Sequence, residues 1–161
     1  MKRQQILDRV GATWRDFEES YAGLSDRQLL IPRVTGKWSV RDVIAHVTRW
    51  EEEALKHLPT IRDGGRTARY SVTYGGIDAF NAMMTTERQA LSLAEVLRQH
   101  NDMHAQLLEY VRAAPEELFT RETRFRRRLR SDTYGHYPIH TKAIREWRTH
   151  SGYSTDQAIR R

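Results

Sequence analysis

The sequence predicts an all-α protein: a four-helix bundle with a crossover connection and short additional helices, formed as a single domain over residues 1–161. Three observations predict it. Four segments repeat apolar residues at spacings of three and four, the pattern of one helical face. Serines stand where helices would begin, and prolines where they would end. No segment alternates apolar and polar residues for more than a few positions, as a half-buried strand would.

The first helix runs from Ile6 to Tyr21, with Ile6, Val10, Trp14, Phe17 and Tyr21 along one face. Leu24-Ser25-Asp26 supplies a turn and a cap, and a short element follows that ends at Pro32. The second long helix is capped by Ser39, with Asp42 in the reciprocal position of a capping box. Val40, Val43, Ile44, Val47, Ala54, Leu55 and Leu58 make its stripe, and Pro59 is expected to end it. Residues 60–76 hold four glycines and little periodicity. A loop of that length calls for a function or for mobility. A short helix follows from Ile77 to Arg88. Ser92 then opens a long helix to Ala114, with Leu93, Val96, Leu97, His100, His104, Leu107 and Val111 inward, and Pro115 stops it. The last helix is expected from about Asp132 to His150, carrying Ile139, Ala143, Ile144 and Trp147. Helices joined in this way require a connection that crosses over.

Composition narrows the function classes. Hydrophobic residues at 39% suffice for a core, and charged residues at 30% for a hydrated surface. No run of about 18 uncharged apolar residues offers a membrane span, and the opening MKRQQILDRVGATW lacks the apolar centre of a secretion signal. A cytoplasmic location is expected. Cysteine is absent, which excludes disulfides, thiolate nucleophiles and sulfur metal sites, and leaves imidazole and carboxylate as ligands. Most of the net charge of +6 sits in RETRFRRRLR, residues 121–130, with six arginines and one glutamate.

Three histidines carry the strongest chemical signal. Histidines four apart on a helix bring their rings close enough to share a metal ion, and His136 and His140 have that spacing. His46, at the edge of the second helix's apolar stripe, is the natural third donor. Three protein ligands would leave a coordination position open, as catalytic centres do. Pro138, between the paired histidines, requires the last helix to start close to His136 or to kink there. A second pair, His100 and His104, lies among Leu97, Leu107 and Leu108 and reads as core or cavity lining. His57 and His150 read as surface residues near helix ends.

Three stretches also resemble a known family. GKWSVRDVIAHVTRWEEEAL (36–55) resembles the second-helix signature of the DinB-like superfamily, in which a tryptophan-serine helix start precedes a ligand histidine. TYGHYPIHTKAIREWR (133–148) is similar to the last-helix signature of its ClbS/DfsB branch, and IDAFNAMMTTERQALSLAEVL (77–97) to that branch's middle segment. The resemblance implies a four-helix bundle with a crossover, commonly a homodimer, and a metal triad of His46, His136 and His140 that holds nickel or zinc. It implies a mixed range of functions: metal-dependent thiol transfer or hydrolysis, and, in the ClbS type, protection of the host by opening a reactive cyclopropane in a genotoxin.

The leading expectation is therefore a metal-assisted enzyme acting on a small electrophile by hydrolysis or thiol transfer. Tyr137 and Glu53 are candidate catalytic residues, and Trp50 and Tyr137 candidates to line the binding pocket. An alternative is a protein that sequesters a small molecule without turnover, between Trp14, Trp50, Tyr137 and Trp147. Nucleic-acid binding through residues 121–130 ranks below both, because Phe125 and Leu129, four apart, read as a docked helix or strand whose arginines are solvated. No membrane partner is expected.

Overall fold

Capping decides where the long helices begin. In the computed structural model, which describes residues 2–153, Ser39 and Asp42 bond reciprocally across the first turn of a helix over Val40–Arg62, and Ser92 and Glu95 do the same for one over Leu93–Ala113. Each box satisfies two of the N–H groups that a helix start leaves without partners. In chain order, the described residues form α1 (Arg3–Tyr21), α2 (Asp26–Leu29), α3 (Val40–Arg62), α4 (Tyr70–Thr73), α5 (Ile77–Arg88), α6 (Leu93–Ala113), α7 (Glu117–Thr120), α8 (Arg124–Asp132) and α9 (Tyr137–Ser151). No strand occurs among them.

The four long helices α1, α3, α6 and α9 bury their apolar stripes against one another. Phe17, Ile44, Leu58, Leu107 and Ile144 are fully buried, each stabilising the fold by about 1.5–3 kcal/mol relative to exposure. α1 packs on α9 and α6, while α3 packs on α6, α8 and α5 and lightly on α9. The chain thus crosses the bundle between α1 and α3, through residues 22–39, and again between α6 and α9.

Three expectations need correction. Pro59 does not end its helix: α3 continues to Arg62. A proline lacks a donor but keeps its carbonyl, and that of Pro59 accepts from the Asp63 N–H at 3.2 Å. The segment 60–76 is accordingly shorter as a loop and contains the single turn α4. The last helix begins at Tyr137, not near Asp132, because the arginine-rich stretch is itself the helix α8, ending at Asp132.

α8 docks by Phe125 and Leu129, both buried, and packs along α3. Its arginines are not all solvated. Arg124 and Arg127, like Arg121 just before the helix, are exposed, but Arg128 turns inward and bonds Asp132 at 2.6 Å and the Tyr70 hydroxyl at 2.7 Å. Among the described residues no helix is long and apolar enough to cross a membrane.

Candidate metal centre

His46 projects from α3 two turns beyond its Ser39 cap. The other two histidines are placed by the junction of α8 and α9. Thr133 leaves helical geometry at φ −131° and ψ −106°, and the chain folds back tightly. A β-carbon on Gly135 would lie 2.8 Å from the Arg130 carbonyl oxygen, so only glycine fits that turn. His136 is then the cap residue of α9 and His140 lies one turn on. Pro138 falls in the first turn, where an N–H would have no intrahelical acceptor. Its missing donor costs nothing there, and the four-residue spacing keeps its geometry.

The three rings converge. His46 Nε2 lies 3.1 Å from His136 Nε2, and His140 Nε2 lies 2.9 Å from the same atom. One ligand atom from each ring lies within 4.8 Å of the others. Nitrogens about 2.0–2.1 Å from a tetrahedral ion stand about 3.3 Å apart, close to these separations. Burial, together with the neighbouring imidazoles, pushes His46 down to about 2 and His136 to about 3, and burial alone pushes His140 to about 4. All three rings are neutral at pH 7, the form in which imidazole is a ligand. A single nitrogen serves as donor or acceptor, not both. His136 Nε2 faces two others, and a cation satisfies all three lone pairs together. The residues fit a divalent ion, and an all-imidazole set suits zinc, copper, iron or nickel.

The triad lines an open cavity of about 540 Å³. Trp38, Trp50, Ile77 and Ile139 supply apolar walls; Asn81, Tyr70, Arg128 and Asp132 supply polar ones. The Trp50 indole N–H donates to Asn81 Oδ1 at 3.1 Å, which fixes both side chains. Burial raises the Asp132 carboxyl to about 6, against the opposing pull of Arg128.

The sequence profile of the DinB superfamily matches residues 9–141, most of the chain and all three histidines. The chain belongs to the DinB superfamily. Solved structures similar to this DinB protein include DfsB, described as a sibling lethal factor precursor, with a TM-score of 0.76 at 14% identity over 94% of this chain and 97% of that one. An uncharacterised protein from Escherichia coli UTI89 gives 0.80 at 12% identity, covering 94% and 95%. The colibactin self-resistance protein ClbS, solved in complex with dsDNA, gives 0.75 at 10% identity, covering 90% and 94%. At these identities the likeness is one of fold. No curated protein matches the chain. The dsDNA in the ClbS structure does not fit the expectation that nucleic acid is an unlikely partner.

Within this DinB fold the other candidate residues are placed differently from one another. Trp50 lines the cavity beside the triad. Tyr137 does not: it is fully buried, and its hydroxyl donates to Glu51 in the bundle core. Adjacent helical residues point about 100° apart, so the residue next to a ligand faces elsewhere. Glu53 is also fully buried, behind the cavity wall, where its Oε2 accepts from the Tyr70 hydroxyl at 2.7 Å and contacts His57 Nε2 at 3.0 Å. His57 is therefore partly buried and paired, not a free surface residue, whereas His150 is exposed. Trp14 lies in the core, stacked on His104 at 3.5 Å, and Trp147 packs at the core's edge beside Tyr153. Sequence reasoning missed Tyr70, Asn81, Arg128 and Asp132 as cavity residues. The four-residue spacing of Arg128 and Asp132 was a signal for their pairing. Tyr70, in the glycine-rich segment, gave none.

Proposed function

We propose that this chain is a metal-dependent enzyme acting on a small electrophilic molecule, by hydrolysis or thiol transfer, in detoxification or self-protection. The observation that carries the proposal is the convergence of three neutral imidazoles in the lining of a largely apolar cavity. A zinc or nickel ion bound there would act as a Lewis acid and lower the pKa of a coordinated water or thiol. His46, His136 and His140 would hold it. Trp38 and Trp50 would exclude water and seat the apolar body of the substrate, while the Asn81 amide and the Arg128 guanidinium would orient its polar groups. The description of ClbS as a self-resistance protein supports the self-protection part of the reading.

The test is metal content and affinity of chelator-treated protein reloaded with zinc or nickel. One equivalent is expected in the wild type, with a loss of at least 100-fold in affinity in His46→Ala and His140→Ala. A full complement of metal in both variants would remove the triad from the reading.

The ClbS–dsDNA structure favours a second reading, in which the surface around α8 contacts duplex phosphates. Exposed Arg121, Arg124 and Arg127 would serve it, with Arg66 and Arg69 of the adjoining loop. Arg124 donates to the Gly64 and Gly65 carbonyls, which joins the two segments into one basic surface.

A further inference from the structure

Glu51 is a carboxylate with no exposure to solvent, on a helix whose other inward positions include Val47, Ala54 and Leu58. Its Oε1 accepts from the Tyr137 hydroxyl and contacts His104 Nδ1 at 3.0 Å. Its Oε2 has no hydrogen-bond partner among the described residues. Three helices, α3, α6 and α9, thus meet on one side chain. The fourth closes over them: the Trp14 indole of α1 stacks on the His104 ring, 5° from parallel, and meets the edge of the Tyr137 ring at 5.6 Å.

Stability does not account for this arrangement. A buried carboxylate costs several kcal/mol in lost hydration, and well-packed apolar residues of the same volume are commonly as stable or more so. Position does account for it. Glu51 follows His46 by five residues on α3, and Tyr137 stands between His136 and His140 on α9. The hydroxyl–carboxylate bond joins α3 to α9 beside the triad, at a place where those two helices otherwise pack lightly. A small roll of α9 would carry two of the three imidazoles away from the third.

We infer that Glu51, with Tyr137 and His104, sets the position of α9 against α3 so that His136 and His140 meet His46, and that these three act as positioning residues of the metal centre. The inference rests on the reading of the triad as a metal site. Residues that hold ligands in place typically alter metal affinity by about 10–100-fold when they are removed.

Zinc affinity and urea denaturation of the full chain, measured together, test it. Glu51→Met keeps the volume and removes the acceptor, Tyr137→Phe removes one oxygen, and Glu51→Gln keeps an acceptor. Glu51→Met, which leaves the Tyr137 hydroxyl and His104 without their acceptor, is expected to stay folded with a lower urea midpoint than the wild type while binding zinc at least tenfold more weakly. Tyr137→Phe is expected to weaken zinc binding in the same direction, and the double variant to lose little more than Glu51→Met alone, since both changes remove one bond. Glu51→Gln is expected to stay within about threefold of the wild type. Zinc affinity in Glu51→Met or Tyr137→Phe within threefold of a zinc-binding wild type overturns this inference alone. Losses that multiply in the double variant also overturn it. A wild type that binds no zinc overturns the metal reading and this inference with it.

Discussion

At the scale of single residues, burial is the largest influence on the buried histidines and on Asp132. His46, His136, His140 and His100 are pushed from the ordinary 6.5 to about 2, 3, 4 and 3, with burial the largest cause for each. Between those values and 6.5 the unfolded chain binds protons that the folded chain does not. The stability these groups contribute is therefore complete above pH 6.5 and is lost as the pH falls. Asp132, raised from 3.8 to about 6, works the other way, holding a proton in the fold that the unfolded carboxylate releases; Glu51 is raised in the same sense. The imidazoles outnumber the carboxylates. The urea midpoint of metal-free protein is expected to fall from about pH 7 to about pH 5, each imidazole contributing up to ~1.4 kcal/mol per pH unit. The fall should be shallower in His140→Ala. A midpoint constant over that range would show that the rings are hydrated and free to protonate. The same burial makes the triad legible as chemistry, since only neutral rings offer lone pairs to an ion.

At the scale of elements, the junction between α8 and α9 decides whether the ligands meet. The apolar residues Ile139, Ala143, Ile144 and Trp147 suggested a last helix from about Asp132 onward. What breaks it is local: Thr133 in a non-helical conformation, then Gly135 pressed against the Arg130 carbonyl. Gly135→Ala should destabilise the protein by about 1–3 kcal/mol, because its β-carbon meets backbone and not a movable side chain. It should also weaken metal binding by displacing His136. Pro138→Ala is expected to cost less than ~1 kcal/mol, since the first turn of α9 requires no N–H at that position and only the unfolded chain gains freedom. Urea titration with and without zinc separates the two effects. Equal behaviour of the two variants would mean that the turn does not set the triad.

At the scale of the whole molecule, charge is distributed unevenly, and the basic surface around α8 is where an anionic polymer would be met. If duplex phosphates bind there, affinity for a short DNA duplex should fall steeply with salt, by roughly tenfold or more between 50 and 200 mM for a few phosphate contacts. Arg124→Gln with Arg127→Gln should flatten that dependence. Binding that is unchanged across this salt range, or in the double variant, would exclude a phosphate-dominated interface. The local pattern of the chain by itself determined the all-α class, the caps at Ser25, Ser39 and Ser92, the inward faces of the long helices and the identity of the three histidines. These follow from spacing, capping chemistry and motif, which act over a few residues and are written in the chain in order. Only the tertiary structure decided that Tyr137 turns to Glu51 and away from the cavity, that Glu53 lies behind Tyr70, and that Arg128 and Asp132 join the site. Each of those contacts is made across helices far apart in the chain, or by a side chain whose direction depends on where a helix starts, and no local pattern carries that information.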